Sequence, residues 1–257
     1  MSRRNEKAEL LDISQEARLG LGGLIVLAVI ALLSSYGRHP APAAAGPSPA
    51  AVPRAVSSIE IAHGDRTKKQ VIFTFDAGGA TTSADEILAV LAKHRVKGTF
   101  FMTGKFVQAN PGLVRRIVDS GYEVFDHTYS HPFLTHLSDA DIAKQLDMMD
   151  GALAAAVPGA SSRPYFRAPY GDRDSRVLAD AFKDGYESVY WTVDALDWKE
   201  PQGETDASVE ARILDSLAPG NIYLMHVGDS ITGSILDDVF SRIEARGYGI
   251  VSLKEGL

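Results

Sequence analysis

From residue 70 to the last residue, the chain alternates short runs of β-branched and aromatic residues with longer stretches whose apolar positions recur three and four apart. The runs read as buried strands and the longer stretches as helices that cover them. Seven runs qualify as strands: 70–75 (QVIFTF), 98–102 (GTFFM), 122–126 (YEVFD), 164–167 (PYFR), 187–193 (ESVYWTV), 221–225 (NIYLM) and 248–252 (YGIVS). Helix ends are readable between them. Ser83 with Glu86 three positions on predicts a capping box ahead of Ile87, Leu88 and Leu91. Asn110-Pro111 opens a helix that stacks Leu113/Ile117 and Val114/Val118 on one face and stops at Gly121. Ser138 starts another with Ile142, Leu146 and Met149 inward, and Gly185 and Gly247 sit where later helices end. Repeated βα order predicts an α/β fold with a parallel sheet and helices outside it, either closed as a barrel or open and doubly wound.

Upstream the pattern changes twice. Residues 19–36 (LGLGGLIVLAVIALLSSY) carry no charge and reach the length of a membrane-spanning helix. Arg3, Arg4, Lys7 and Arg18 precede them, so the positive-inside rule makes residues 1–18 a cytoplasmic tail. Residues 37–57 are rich in Pro and Ala and lack any helical or strand period, which predicts a semi-extended tether. The folded domain is expected over 58–257, outside the cytoplasm and held to the cell membrane by one pass. A cleaved secretory signal, cut after the alanines at 43–45, is the competing reading; it exports the same domain.

Charge and composition remove several functions. The chain has a formal net charge of -7, and its acidic balance argues against a nucleic-acid partner. The absence of cysteine removes disulfides, thiolate metal sites and thiol nucleophiles together.

Parallel α/β folds place chemistry at the carboxyl ends of their strands. Here those ends carry Asp76, Asp126-His127, Arg167, Asp194 with Asp197 shortly after, and His226. His127 and His131 stand four apart, a spacing that lets two imidazoles face one divalent ion from a helical turn. Taken singly, each residue has a bland reading: a turn cap for Asp76, a structural ion pair for Arg167, a core histidine for His226. Their convergence on one rim points to a catalytic site. His63, His94 and His136 show no recognisable acidic or strand-end partner.

Five stretches, in order, carry a family resemblance: TFDAGG, HTYSH, RAPYG, DALDW and LMH, within roughly residues 60–257. They resemble the motifs of the NodB-homology polysaccharide deacetylases, carbohydrate esterases of the chitin and peptidoglycan deacetylase type. The resemblance implies a distorted (β/α) barrel of about seven parallel strands and removal of N-acetyl groups from N-acetylglucosamine-type polymers. It implies His127 and His131 as ligands of a divalent metal, Zn²⁺ first, with Co²⁺ and Ni²⁺ as alternatives. Asp76 would be the base, Arg167 its neutralising partner, His226 the acid and Asp197 the group that keeps that imidazole protonated. The Tyr170 backbone N–H would bind the oxyanion, and Trp198 and Leu224 would shape the acetyl pocket. Where the family usually has a second aspartate, a metal ligand, this chain has Ala77. That change predicts a weaker, more open metal site, recruitment of another acid such as Asp194, or a domain that binds glycans without cutting them. A small N-acyl compound is the alternative substrate.

Overall fold

The computed structural model describes residues 60–257. The expected anchor at 19–36 and tether at 37–57 lie outside the described residues, and among the described residues no helix is long and apolar enough to cross a membrane. The strands are β1 (Gln70–Ala77), β2 (Thr99–Met102), β3 (Glu123–Asp126), β4 (Tyr165–Phe166), β5 (Glu187–Ser188), β6 (Val193–Asp194), β7 (Ile222–His226) and β8 (Gly249–Val251). All pair in parallel, in the order β5-β4-β3-β2-β1-β7-β6, with β8 added on β1. The helices are α1 (Ala84–His94), α2 (Gly104–Ala109), α3 (Pro111–Asp119), α4 (Asp139–Ala156), α5 (Ser175–Lys183), α6 (Asp206–Asp215), α7 (Ser230–Ala245) and α8 (Leu253–Gly256).

The expectation of one strand over 187–193 is corrected: the run is two strands that form opposite ends of the sheet path. Between them the backbone changes partner at nearly every residue. Val189 N–H donates to Phe166, Tyr190 to Ile61 and Thr192 to Ile222. The chain itself therefore crosses from one edge of the sheet to the other, which makes the barrel distorted and incompletely paired.

Period-two alternation along β1 sorts its side chains. Val71, Phe73, Phe75 and Ala77 join the large cluster that includes Val90, Leu91, Val239 and Phe240 from α1 and α7. Ile72 points the other way, into a smaller apolar plug with Phe101, Phe125, Val189, Ile222 and Leu253. Thr74 and then Asp76 follow on that inner side, so the interior changes from apolar to polar towards the strands' carboxyl ends.

Most expected helix ends occur as read. Ser138 Oγ accepts from Asp141 N–H at the start of α4, Pro111 opens α3, and Gly121, Gly185 and Gly247 adopt positive φ just past their helices. Ser83 differs. It stands at the N-cap of α1 but makes no cap bond; its hydroxyl donates to Asp229 O at 2.6 Å and accepts from Gly233 N–H at 3.0 Å, tying α1 to the start of α7. His94 also departs from expectation. Its ring nitrogens lie 2.9 Å from Asp237 and 3.0 Å from Glu244, so it clasps α1 to α7.

Candidate active site

A cleft of about 500 Å³ opens at the carboxyl ends of the strands, and Asp76, His127, His131, Tyr170, Asp194, Trp198, Leu224, His226 and Asp229 are among the residues that line it. A second cavity of about 480 Å³ lies near the start of β3. Its Glu123 carboxylate is already taken by the Thr99 and Ser252 hydroxyls, and it gathers no comparable chemistry.

Asp76 is almost fully buried and Arg167 completely so. Arg167 donates from one terminal nitrogen to Asp76 Oδ1 at 2.7 Å and to Thr74 Oγ1 at 2.8 Å; its other nitrogens donate to the Val189 and Tyr190 carbonyls. Phe101 lies under the guanidinium at 4.1 Å. Burial alone would push the Asp76 carboxyl up, but Arg167, His127 and His226 outweigh it and hold the group below its ordinary range, hence ionised.

The two expected histidines converge, with ring centroids 4.8 Å apart. They do not do so from a helical turn. Residues 127–131 form a loop in which Thr128 and His131 take φ of 66° and 62°. Non-glycine residues in that region are uncommon, and a β-branched one is an outlier. The loop is held from behind by Asp126, whose side chain points away from the cleft. Its Oδ1 accepts from Thr128 N–H at 2.7 Å and its Oδ2 from Ser162 Oγ at 3.1 Å, while Thr128 Oγ1 accepts from His131 N–H. Left-handed residues recur at this rim: Tyr170 and Leu196 have φ of 59° and 62° in the loops that carry Arg167 and Asp197.

His127 Nδ1 lies 2.9 Å from the Arg167 carbonyl, which can only accept. That fixes the tautomer and leaves Nε2 free, 3.5 Å from Asp76 Oδ2. Burial pushes both imidazoles towards the neutral form, His131 down to about 4. Two neighbouring neutral imidazoles are ligand types that suit a divalent ion. The fit is incomplete, because among the described residues no third imidazole or carboxylate donor joins both rings within 4.8 Å. Ala77 supplies none and does not line the cleft; its methyl is packed in the outer core. Asp194 lines the cleft, with Oδ1 accepting from Leu196 N–H.

His226 stands beside Asp76 as its registered partner across β1 and β7. Its Nδ1 donates to Asp197 Oδ1 at 2.9 Å, and Asp197 Oδ2 accepts from His226 N–H and Thr232 Oγ1. Burial would lower the His226 pKa, but the hydrogen bond and charge of Asp197 raise it to about 9. Asp197, His226 and Asp229 also bring ligand-type atoms within 4.8 Å of one another. Both Asp197 oxygens already accept hydrogen bonds from these donors. The Tyr170 backbone N–H, beside the cleft, has no acceptor among the described residues. Leu224 is buried in the cleft wall and Trp198 is partly exposed on it.

Sequence reasoning missed Thr74, Ser162, Asp229, Thr232 and Trp191 around this site, and it named Asp126 at the rim without its role behind the histidine loop.

An ionised carboxylate and a protonated imidazole stand side by side, next to a histidine pair, the residue types that acid–base hydrolysis requires. Comparison with known proteins narrows this class. The model of the polysaccharide deacetylase family matches residues 63–189. The peptidoglycan-N-acetylmuramic acid deacetylase PdaA of Bacillus subtilis is 32% identical over 192 residues, 75% of this chain and 73% of the relative. A chitooligosaccharide deacetylase of Sinorhizobium fredii is 41% identical over 62% of this chain and 72% of its own length. The solved structure of PdaA superposes with a TM-score of 0.73 at 31% identity, covering 77% of this chain and 84% of PdaA. A family 4 carbohydrate esterase pseudoenzyme from Bacillus anthracis also superposes with a TM-score of 0.73, at 31% identity over 78% of this chain and 69% of its own. The chain belongs to the polysaccharide deacetylase family.

Proposed function

We propose that the domain removes N-acetyl groups from amino-sugar residues of a polysaccharide. One observation carries this reading: Asp76 is held ionised by Arg167 while its cross-strand partner His226 is held protonated by Asp197. A glycan-binding module has no use for a base and an acid of opposite protonation in adjacent positions.

His127 and His131 would hold a divalent ion, Zn²⁺ by the nature of the ligands, which when bound polarises the acetamide carbonyl and makes water more acidic. The chain's own residues account for the proton movements. Asp76 Oδ2, the oxygen not engaged by Arg167, takes the proton of the attacking water. The Tyr170 N–H donates to the carbonyl oxygen as negative charge develops there. Next, as the C–N bond breaks, His226 gives its Nε2 proton to the departing amine, and the products are acetate and a free amino sugar. Asp197 keeps the imidazole oriented, in the manner of a triad carboxylate. Leu224 and Trp198 enclose the acetyl methyl.

The relatives named above act on peptidoglycan N-acetylmuramic acid and on chitooligosaccharide. Both are N-acetylated glycans, and that class is the substrate proposed. The uncharged span at 19–36 would anchor the chain in the cell membrane with the domain outside, facing such polymers. A second reading, glycan binding without turnover, is favoured by Ala77 where the family usually has a second aspartate, since among the described residues no third carboxylate or imidazole joins both rings within 4.8 Å. Incubation with N-acetylated glucosamine and muramic acid oligosaccharides plus Zn²⁺, Co²⁺ or Ni²⁺ separates the two. Acetate release that disappears in Asp76→Asn supports the hydrolase; binding without acetate under every metal supports the binder.

A further inference from the structure

One nitrogen of His226 faces two carboxylates. Asp197 Oδ1 lies 2.9 Å from Nδ1, and Asp229 Oδ2 lies 4.0 Å from the same atom. The three residues offer ligand-type atoms that all stand within 4.8 Å of one another. Zn²⁺ holds imidazole nitrogen and carboxylate oxygen at about 2.0–2.2 Å, which sets neighbouring ligand atoms of a tetrahedron roughly 3.3–3.6 Å apart. The two measured separations bracket that spacing.

The surrounding contacts hold these groups in place without using them up. Asp197 Oδ2 accepts from His226 N–H and Thr232 Oγ1, which fixes the carboxylate while Oδ1 meets the Nδ1 proton. Asp229 precedes α7 without capping it; Ser83 Oγ takes the Gly233 N–H of the first turn instead, which frees the Asp229 side chain. His226 and Asp229 line the cleft and are partly exposed, so an ion can reach them from solvent.

Charge points the same way. Asp197, Asp76 of β1 and Asp229 all face His226, with Glu200 behind Asp229. Arg167 neutralises Asp76, which leaves one imidazolium against the carboxylates of Asp197 and Asp229. Burial and the charge of Asp197 push the Asp229 carboxyl up, as expected of crowded acids. A divalent ion in place of the Nδ1 proton balances the two carboxylates.

We propose that Asp197, His226 and Asp229 form a second divalent-metal site, separate from the histidine pair, that switches the catalytic acid off. Zn²⁺ bonds to His226 Nδ1 as the Nδ1–H bond breaks and its proton passes to solvent, and the ring keeps Nε2–H. That N–H then belongs to a neutral imidazole, too weak an acid to protonate a departing amine. The inhibition rests on the deacetylase reading; the site itself does not.

The probe is Zn²⁺ alone, titrated by calorimetry into the purified full-length chain near neutral pH in two buffers of different ionisation enthalpy. The wild type should bind an ion with release of about one proton. Asp229→Asn should weaken that event about ten-fold or more, and Asp229→Glu should restore part of it. His131→Ala, which alters the other candidate site, should leave the event in place. With an N-acetylated tetrasaccharide present, acetate release should rise and then fall as Zn²⁺ increases, and Asp229→Asn should shift the fall to higher concentration. The proton-linked event without acetate at any Zn²⁺ concentration would uphold the site and reject deacetylation. No proton-linked event, or one indifferent to Asp229→Asn or abolished by His131→Ala, would overturn the site without touching the deacetylase reading. Acetate release that never falls as Zn²⁺ rises would overturn the inhibition and leave deacetylation standing.

Discussion

At the scale of single residues, the site depends on which groups are charged. Asp76 and Arg167 are buried together, so removing one strands the other. Arg167→Met should cost about 3–5 kcal/mol in denaturant unfolding, because it leaves a carboxylate buried without its cation. Asp76→Asn keeps the shape and an acceptor oxygen but leaves the buried Arg167 without its counter-charge, so it should also lower stability while abolishing acetate release. The pH dependence follows from His226. Its pKa is raised to about 9, so the imidazolium persists through neutral pH and is lost as pH climbs through that value. The rate should therefore fall above about pH 9, and so should the stability that the charged ring contributes, which is complete only below the ordinary imidazole pKa. Asp197→Asn removes the largest raising influence and should move the alkaline limb of kcat towards neutral pH. An alkaline limb that stays in place in that variant would remove His226 from the role of acid.

Among the elements, the loop at 127–131 sets the histidine pair. Spacing alone suggested a helical turn, since two histidines four apart are what a helix would align. The backbone instead bends through two left-handed residues, and that geometry was not legible because Thr128, a β-branched residue, is a type that argues against positive φ. Asp126 substitutes for the missing signal by binding Thr128 N–H from the buried side. Burial pushes its carboxyl well above the usual range, more than its hydrogen bonds pull it down. Asp126→Asn should then keep divalent-ion affinity, whereas Asp126→Ala should lower it about ten-fold or more in a Zn²⁺ titration. Because no third donor joins both rings within 4.8 Å among the described residues, dialysis against a chelator should strip the wild type readily; strong retention would reveal a third ligand that moves into place.

The whole molecule shows why the fold was more legible than its closure. Buried parallel strands are written as apolar runs, and six of the seven expected runs hold a single strand near the expected limits. The run at 187–193 failed because β-propensity does not report where a strand changes partner, and here the chain leaves β4 for β7 within a few residues. The seam it leaves is filled from the start of the described chain. Ile61 N–H donates to Ser188 O and Tyr190 N–H to Ile61 O, Thr192 Oγ1 donates to Ala62 O, and Gly64 N–H donates to Gly220 O. Glu60 adds a bidentate pair with Arg173. Because Arg167 donates to Tyr190 O, deleting residues up to 64 should lower Tm and also disturb the carboxylate pair, a change visible as a shifted acid limb in the rate. The five ordered motifs made the candidate residues legible as a set; their side chains meet because strands β1, β3, β4 and β7 end on one rim.

The most direct test is acetate released from a purified domain supplied with a divalent ion and an N-acetylated tetrasaccharide, run beside the Asp76→Asn variant. Release by the wild type alone is the predicted result. Intact tetrasaccharide with every ion tried, despite measurable binding, would contradict hydrolysis and leave a lectin-like protein on a deacetylase scaffold.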